Sequence, residues 1–279
     1  MEIASQLLSI TSKLLKMRFT ILLCCCFVLL FSCKNEPKKT VAETPAKVVA
    51  PAAKYTLTPF QPSQAYPKAE IESMFYKDGK FNFEVAGEGY ELGQQTPDAA
   101  AKMCANSGKG QHIHLIVGKA PYAAKYVPEF EHAVADGDHQ LLAFLSRSYH
   151  ESIKSPTAFV GLNATMEGGN MTKSEPITDP TLFYSRPKGT YVGKANTTKV
   201  MLDFYLLNAD LGPDYSVKAD INGEMHTLTK WQPYYIEGLP MGENTVTLTL
   251  LDKTGKVVDS SINPVSRTFT LKADPVEEG

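Results

Sequence analysis

The sequence predicts an all-β protein: two tandem immunoglobulin-like antiparallel β-sandwiches that follow a signal peptide and a disordered tether. Three observations carry that expectation. The chain repeats itself, its apolar residues alternate at period 2 over short stretches, and turn clusters recur with no long helical pattern between them. The 279 residues leave about 200 after the N-terminal segments, enough for two domains of about 100 residues each.

The N-terminal elements come first. Met17-Arg-Phe-Thr-Ile-Leu-Leu-Cys-Cys-Cys-Phe-Val-Leu-Leu-Phe-Ser-Cys33 has one basic residue, an apolar run from Phe19 to Phe31, and a small residue directly before a cysteine. A membrane-crossing helix needs about 20 apolar residues, so the run reads as a secretory leader (1–33) with a lipoprotein-type cleavage site. Leu30 takes position −3, Ser32 position −1, and Cys33 is the acylated residue. Met17 makes a conventional start, and residues 1 to 16 are a preface that a leader does not require. Residues 34–68 are rich in Pro, Ala and Lys without periodicity and read as a tether to the membrane. The expected location is the bacterial cell envelope, lipid-anchored.

Of the 5 cysteines, Cys24, Cys25, Cys26 and Cys33 lie in or at the end of the leader. Cys104 alone remains in the folded part, so no intramolecular disulfide forms there. The net charge of −2 provides no basic stripe for nucleic acid.

Self-comparison defines the two units. Val117-Gly118, Lys125-Tyr126-Val127-Pro128 and Gly137-Asp138-His139 recur 105 residues later as Asn222-Gly223, Lys230-Trp231-Gln232-Pro233 and Gly242-Glu243-Asn244. Upstream, Lys80, Phe83, Val85 and Leu92-Gly93 answer Lys199, Leu202, Phe204 and Leu211-Gly212 at an offset of 119. The first unit (69–160) therefore carries an insertion within 94–110, where Thr96-Pro97-Asp98 can open a short helix and Ser107-Gly108 can close it. Residues 161–180 read as a linker, 181–273 as the second unit, and 274–279 as a tail. Strands in the second unit are expected at 216–221 and 245–250, with turns at Asn222-Gly223, Gly242 to Asn244 and Lys253 to Gly255.

The repeat acts as an internal control, because residues the fold demands belong in both copies. His112, His114, His132, His139 and His150 lie in the first unit; their partners are Val217, Ala219, Glu237, Asn244 and, more loosely, Gly255. The fold itself does not need these imidazoles. At offset 105, His112 and His114 fall on the inward face of their strand, and His139 shares the inward parity of Leu141, Ala143 and Leu145. The outward positions Ile113, Leu115, Leu142 and Phe144 are unusually apolar. Either something covers that face, with the inserted segment the nearest candidate, or the register of the first unit is flipped.

His-x-His on one strand face is metal chemistry in one reading, because neutral imidazoles suit Zn and Cu. His139, His132 or His150 would complete the site, with Glu151 or Asp138 as an oxygen ligand. In the other reading these histidines line a pocket mouth or domain interface through ordinary hydrogen bonds. Met103 and Cys104 offer soft ligands for Cu(I), and Cys104 beside imidazoles is a weak candidate nucleophile for a Cys/His hydrolase. Arg147, Lys154, Arg186 and Lys188 form a candidate cluster for a phosphate or carboxylate. Trp231, Tyr234 and Tyr235 follow the repeat and read as structural aromatics before any carbohydrate platform.

Gln-His-Ile-His-Leu-Ile-Val-Gly, the Asp-Gly-Asp-His139 turn and Arg147-Ser-Tyr-His-Glu-Ser-Ile-Lys154 resemble an uncharacterised group of secreted bacterial Ig-like domains. Their pattern is a His-x-His strand followed by a Gly-x-His-x-Leu strand. The two-unit lipoprotein form is similar to one from Bacteroidota, and some relatives are labelled phosphopeptide-binding. The resemblance spans most of residues 80 to 271 and implies fold and envelope location. The expected function is a non-enzymatic binding module with a histidine-lined site in the first unit. The competing reading is a structural or protein-interaction module that holds no metal, its apolar outer face docking a partner or the second unit, or its basic cluster binding a phosphopeptide or small anion. Neither paired carboxylates nor a nucleophile elbow points to an enzyme.

Overall fold

The computed structural model describes residues 54–275. The expected leader with Cys33, the first part of the expected tether and residues 276–279 lie outside the described residues.

Strand β1 (Thr56–Pro59) opens the described chain. The first sandwich follows with β2 (Glu70–Lys77), β3 (Lys80–Ala86), β4 (His112–Val117), β5 (Ala123–Lys125), β6 (Glu129–Glu131), β7 (Gly137–Ser146), β8 (Phe159–Glu167) and β9 (Asn170–Pro176). Its sheets run β2-β3-β6 and β5-β4-β7-β8-β9. The second sandwich comprises β10 (Thr181–Arg186), β11 (Gly189–Val192), β12 (Lys199–Leu207), β13 (Tyr215–Ile221), β14 (Glu224–Leu228), β15 (Tyr234–Glu237), β16 (Gly242–Asp252) and β17 (Val265–Lys272). Its sheets run β1-β15-β12-β10 and β11-β17-β16-β13-β14. The smaller sheet, of three strands in the first unit and four in the second, faces a five-stranded one, the two-sheet arrangement of an immunoglobulin-like sandwich. All pairings are antiparallel except β11 with β17.

Two expected boundaries are corrected. Residues 161–180 are not a linker, because β8 and β9 pair as a hairpin on the edge of the first sandwich. The tether does not extend to residue 68 either. Leu57 packs against the core of the second sandwich, and Thr56 to Pro59 extend its sheet by pairing with β15. Residues 60–69 then cross to the first sandwich: Phe60 meets Tyr235 at 4.4 Å between ring centroids, and the Gln64 carbonyl accepts from Arg147 Nε and Nη2 at 2.9 and 2.7 Å.

Each sandwich has its own core. Val200, Leu202, Phe204 and Leu206 of β12 point into one, and Leu141, Ala143 and Leu145 of β7 into the other. The remaining faces of the same strands form a third cluster between the sandwiches, where Leu142 and Phe144 meet Phe183, Tyr205 and Leu207. Strands buried on both faces read as continuous apolar runs rather than alternating ones, which explains Leu-Leu-Ala-Phe-Leu in β7. The apolar outer face is thus covered by the second sandwich and not by the insertion.

The insertion has another job. It forms a short 3-10 turn at Ala99–Ala101 and ties down the 147–151 turn: Ser107 N donates to Ser148 O at 2.9 Å, and Ser148 N donates to Thr96 Oγ1 at 2.9 Å.

The register of β4 is the main correction. Gly118 N donates to Gln140 O, and Asn222 N to Thr245 O, so Gly118 corresponds to Asn222 while Gln140 corresponds to Thr245. Around β4 the repeat offset is therefore one residue less than the 105 that holds for β7. Both Gly118 and Asn222 have positive φ, 55° and 49°, which is what the shared turn selects. Alternation then places Ile113 and Leu115 in the first core, and His112 and His114 on the opposite face, toward the second sandwich.

Candidate functional site

Three histidines converge at the end of β4. His112 Nε2 lies 2.8 Å from His114 Nε2 and 3.0 Å from His150 Nδ1. One ligand atom from each residue falls within 4.8 Å of the others. Zn–N bonds of about 2.0–2.1 Å in tetrahedral geometry put ligand nitrogens about 3.3 Å apart. The two distances from His112 come within about half an ångström of that spacing.

The backbone aims each ring. His112 and His114 alternate to the same face of β4, and both are fully buried. His112 Nδ1–H donates to Gly110 O at 2.8 Å, which leaves the Nε2 lone pair directed at the other two rings, as a metal-ligating histidine requires. Gly110 sits at φ +85°, and a Cβ there would meet Gly93 O at 2.3 Å, so only glycine holds that carbonyl in place. His114 stacks on Tyr122 with centroids 3.6 Å apart, and its Nδ1 lies 3.5 Å from Ser185 Oγ.

His150 is held by strain. Its φ is +68°, in the left-handed region that costs a non-glycine residue about 1 kcal/mol. The turns are equivalent: His150 N donates to Arg147 O as Gly255 N does to Asp252 O. The second unit uses glycine, at φ +80°, where the first accepts a strained imidazole. That substitution is the strongest local sign that the ring is kept for its chemistry.

All three imidazoles are held neutral. Burial pushes His112 down to about 4, with Arg186 and Lys188 adding to the effect against the raising hydrogen bond to Gly110. Burial, the neighbouring imidazoles and the same two cations hold His114 and His150 well below the ordinary histidine value. Neutral imidazole is the form that binds a metal. In the metal-free chain the unfolded state therefore binds more protons than the native state between the ordinary value of 6.5 and about 4. Stability is full above the first value and falls as pH drops toward the second. His112 alone is expected to cost about 2 kcal/mol by pH 5, read by urea unfolding in chelator at pH 7 and pH 5. A variant with the three histidines replaced should show a smaller loss, and equal losses would contradict buried neutral rings.

Other expected residues lie elsewhere. His139 pairs with Ala164, whereas His112 pairs with Ser146 at the opposite end of β7, about 20 Å away along the strand. His139 Nε2–H donates to Ala135 O at 2.8 Å. His132 rests near Phe81 with ring centroids 6.2 Å apart. Neither belongs to the triad, and neither carboxylate expected as an oxygen ligand joins it: Asp138 bonds Thr165 and Glu151 faces Arg147 at 3.6 Å. Met103 is exposed, Cys104 is outside the triad, and burial pushes its thiol up to about 12, which makes it a poor nucleophile or ligand.

The basic cluster does not assemble as one site. Arg147 is taken up by Gln64, Ser152 and Glu151, and Lys154 by Asp203 at 2.7 Å. Arg186 and Lys188 alone lie beside the histidines. Sequence reasoning missed Tyr122 and Ser185, which contact His114 from outside its strand; their loop and second-sandwich positions carry no periodic signal that links them to β4.

No family model matches the chain, and no curated protein matches it. Similar solved structures include the fibronectin(III)-like modules of Clostridium thermocellum CbhA, 14% identical with a TM-score of 0.27, over 34% of this chain and 100% of that one. The central fibronectin-III array of RIM-binding protein is 8% identical with a TM-score of 0.25, over 76% of this chain and 71% of that one. The chain is an immunoglobulin-like β protein, as its own strand order requires.

Proposed function

We propose that this protein is a lipid-anchored binding module of the bacterial envelope whose first sandwich holds a Zn or Cu ion on His112, His114 and His150. The observation that carries this reading is the convergence of three buried or partly buried imidazole nitrogens within 4.8 Å, one of them mounted on a strained turn where the duplicate fold has glycine. Three neutral nitrogens suit both metals, and a three-histidine set leaves a fourth position open. Of the two occupants the competing interaction reading names for the apolar face, Leu142 and Phe144 meet the second unit, so that face is not free to dock a separate partner.

The test exploits the strain at His150. Zn2+ or Cu2+ added to the metal-free chain is expected to raise its melting temperature. His150→Gly should abolish that rise while leaving the metal-free protein as stable as the parent or about 1 kcal/mol more stable. A melting temperature insensitive to both metals, together with no bound metal by elemental analysis, would sink the reading.

A further inference from the structure

The surroundings of the triad carry positive charge that the described residues do not neutralise. Arg186 is 5% exposed, and among the described residues no carboxylate lies within salt-bridge distance of it. Its Nε and Nη2 donate to the Tyr191 hydroxyl at 3.2 and 2.8 Å. Its cross-strand neighbour is Asp203, whose two oxygens are taken by Lys154 Nζ and Ser152 N. A register break between Tyr184 and Arg186 turns the guanidinium to the face that Phe183 and Tyr205 present to the first sandwich. Lys188 Nζ lies 4.1 Å from the centroid of the Tyr122 ring, the ring stacked on His114, and the Tyr122 hydroxyl is 3.4 Å from His150 Nδ1.

A buried guanidinium without a counter-ion is costly. A divalent ion on three neutral imidazoles would add charge of the same sign in the same buried surroundings. The arrangement becomes favourable only when the fourth ligand is itself an anion, and a guanidinium fork matches the oxygens of carboxylate and phosphate. Resting on the metal reading above, we infer that the fourth ligand is a small oxyanion, a carboxylate or phosphate group that bridges the ion and Arg186, with Lys188 and the Tyr122 hydroxyl around it. The module is then a receptor for an oxyanion presented to a metal. Arg147 and Lys154 take no part.

The purified full chain loaded with Co2+, which reports its ligands through visible absorption, provides the test. Inorganic phosphate and acetate are titrated separately. At least one of them is expected to change the Co2+ spectrum saturably and to raise Co2+ affinity about tenfold or more, with the metal raising anion affinity by the same factor. Acetate alone acting identifies a carboxylate ligand, and phosphate alone a phosphate; either supports the inference. Arg186→Gln should keep Co2+ binding and lose about tenfold or more of the anion effect, and Arg186→Lys should fall between, because it keeps charge without the fork. Lys188→Gln, on a partly exposed side chain, gives an independent arm and should weaken the anion about twofold to threefold. Co2+ bound but indifferent to both anions overturns the inference and leaves the triad reading standing. Anion binding that is equally tight without metal, or unchanged in both Arg186→Gln and Lys188→Gln, also overturns it. Failure of the parent chain to take up Co2+ removes the triad reading itself.

Discussion

Phe144→Ala is expected to lower the unfolding free energy by about 3–5 kcal/mol. Phe144 is fully buried on the face of β7 that meets the second sandwich. Its ring lies 5.0 Å from that of Tyr205 and 4.9 Å from that of His114. Truncation removes the apolar burial and leaves a cavity that two rigid sheets cannot close. Because His114 loses a wall, metal affinity should also fall. Chemical unfolding measures the first effect and metal titration the second. A loss below about 1 kcal/mol would show that the sandwiches do not pack as one unit.

Asp203→Ala should be comparably severe. Asp203 is fully buried on β12, where its carboxylate accepts from Lys154 Nζ at 2.7 Å and from Ser152 N at 3.0 Å. Both donors belong to the first sandwich, so this carboxylate pins the two together. Its removal leaves an ammonium with little solvent access and an unpaired N–H, a loss of about 3–5 kcal/mol. Asp203→Asn keeps an acceptor for the N–H and should lose less. The Asp203→Leu, Lys154→Met double variant should recover much of the stability, because the cost lies in a lone buried charge rather than in the absence of a pair. If the double variant unfolds as easily as Asp203→Ala, the pin is not electrostatic.

Much of the architecture is legible in the sequence. The offset of 119 matches β3 to β12, with Phe81 and Phe83 in the first core where Val200 and Leu202 serve the second. The offset of 105 matches β6 to β15 and β7 to β16. Within the insertion only a 3-10 turn forms, at Ala99–Ala101, shorter than the helix from Thr96-Pro97-Asp98 to Ser107-Gly108 that the sequence suggested. What misled was the pairing of Gly118 with Gly223. The turn conserves a left-handed backbone, which Asn222 adopts as well as glycine does, so matching glycines by type moved β4 by one residue. At period 2 that is enough to exchange its faces. The apolar residues Ile113 and Leu115 held the corrective signal.

Sequence alone determined that the chain is a duplicated β protein and that one copy carries imidazoles the fold does not require, because strand periodicity, turn chemistry and self-comparison are local properties. Tertiary structure decided which of those imidazoles meet. His112 and His114 share a face because β4 pairs in one register and not its neighbour, and His150 joins them because a left-handed turn, held by the insertion, swings its ring across. Arg186 reaches the same place from the other sandwich. Their convergence depends on the packing of two sheets against each other, and no spacing along the chain encodes that contact.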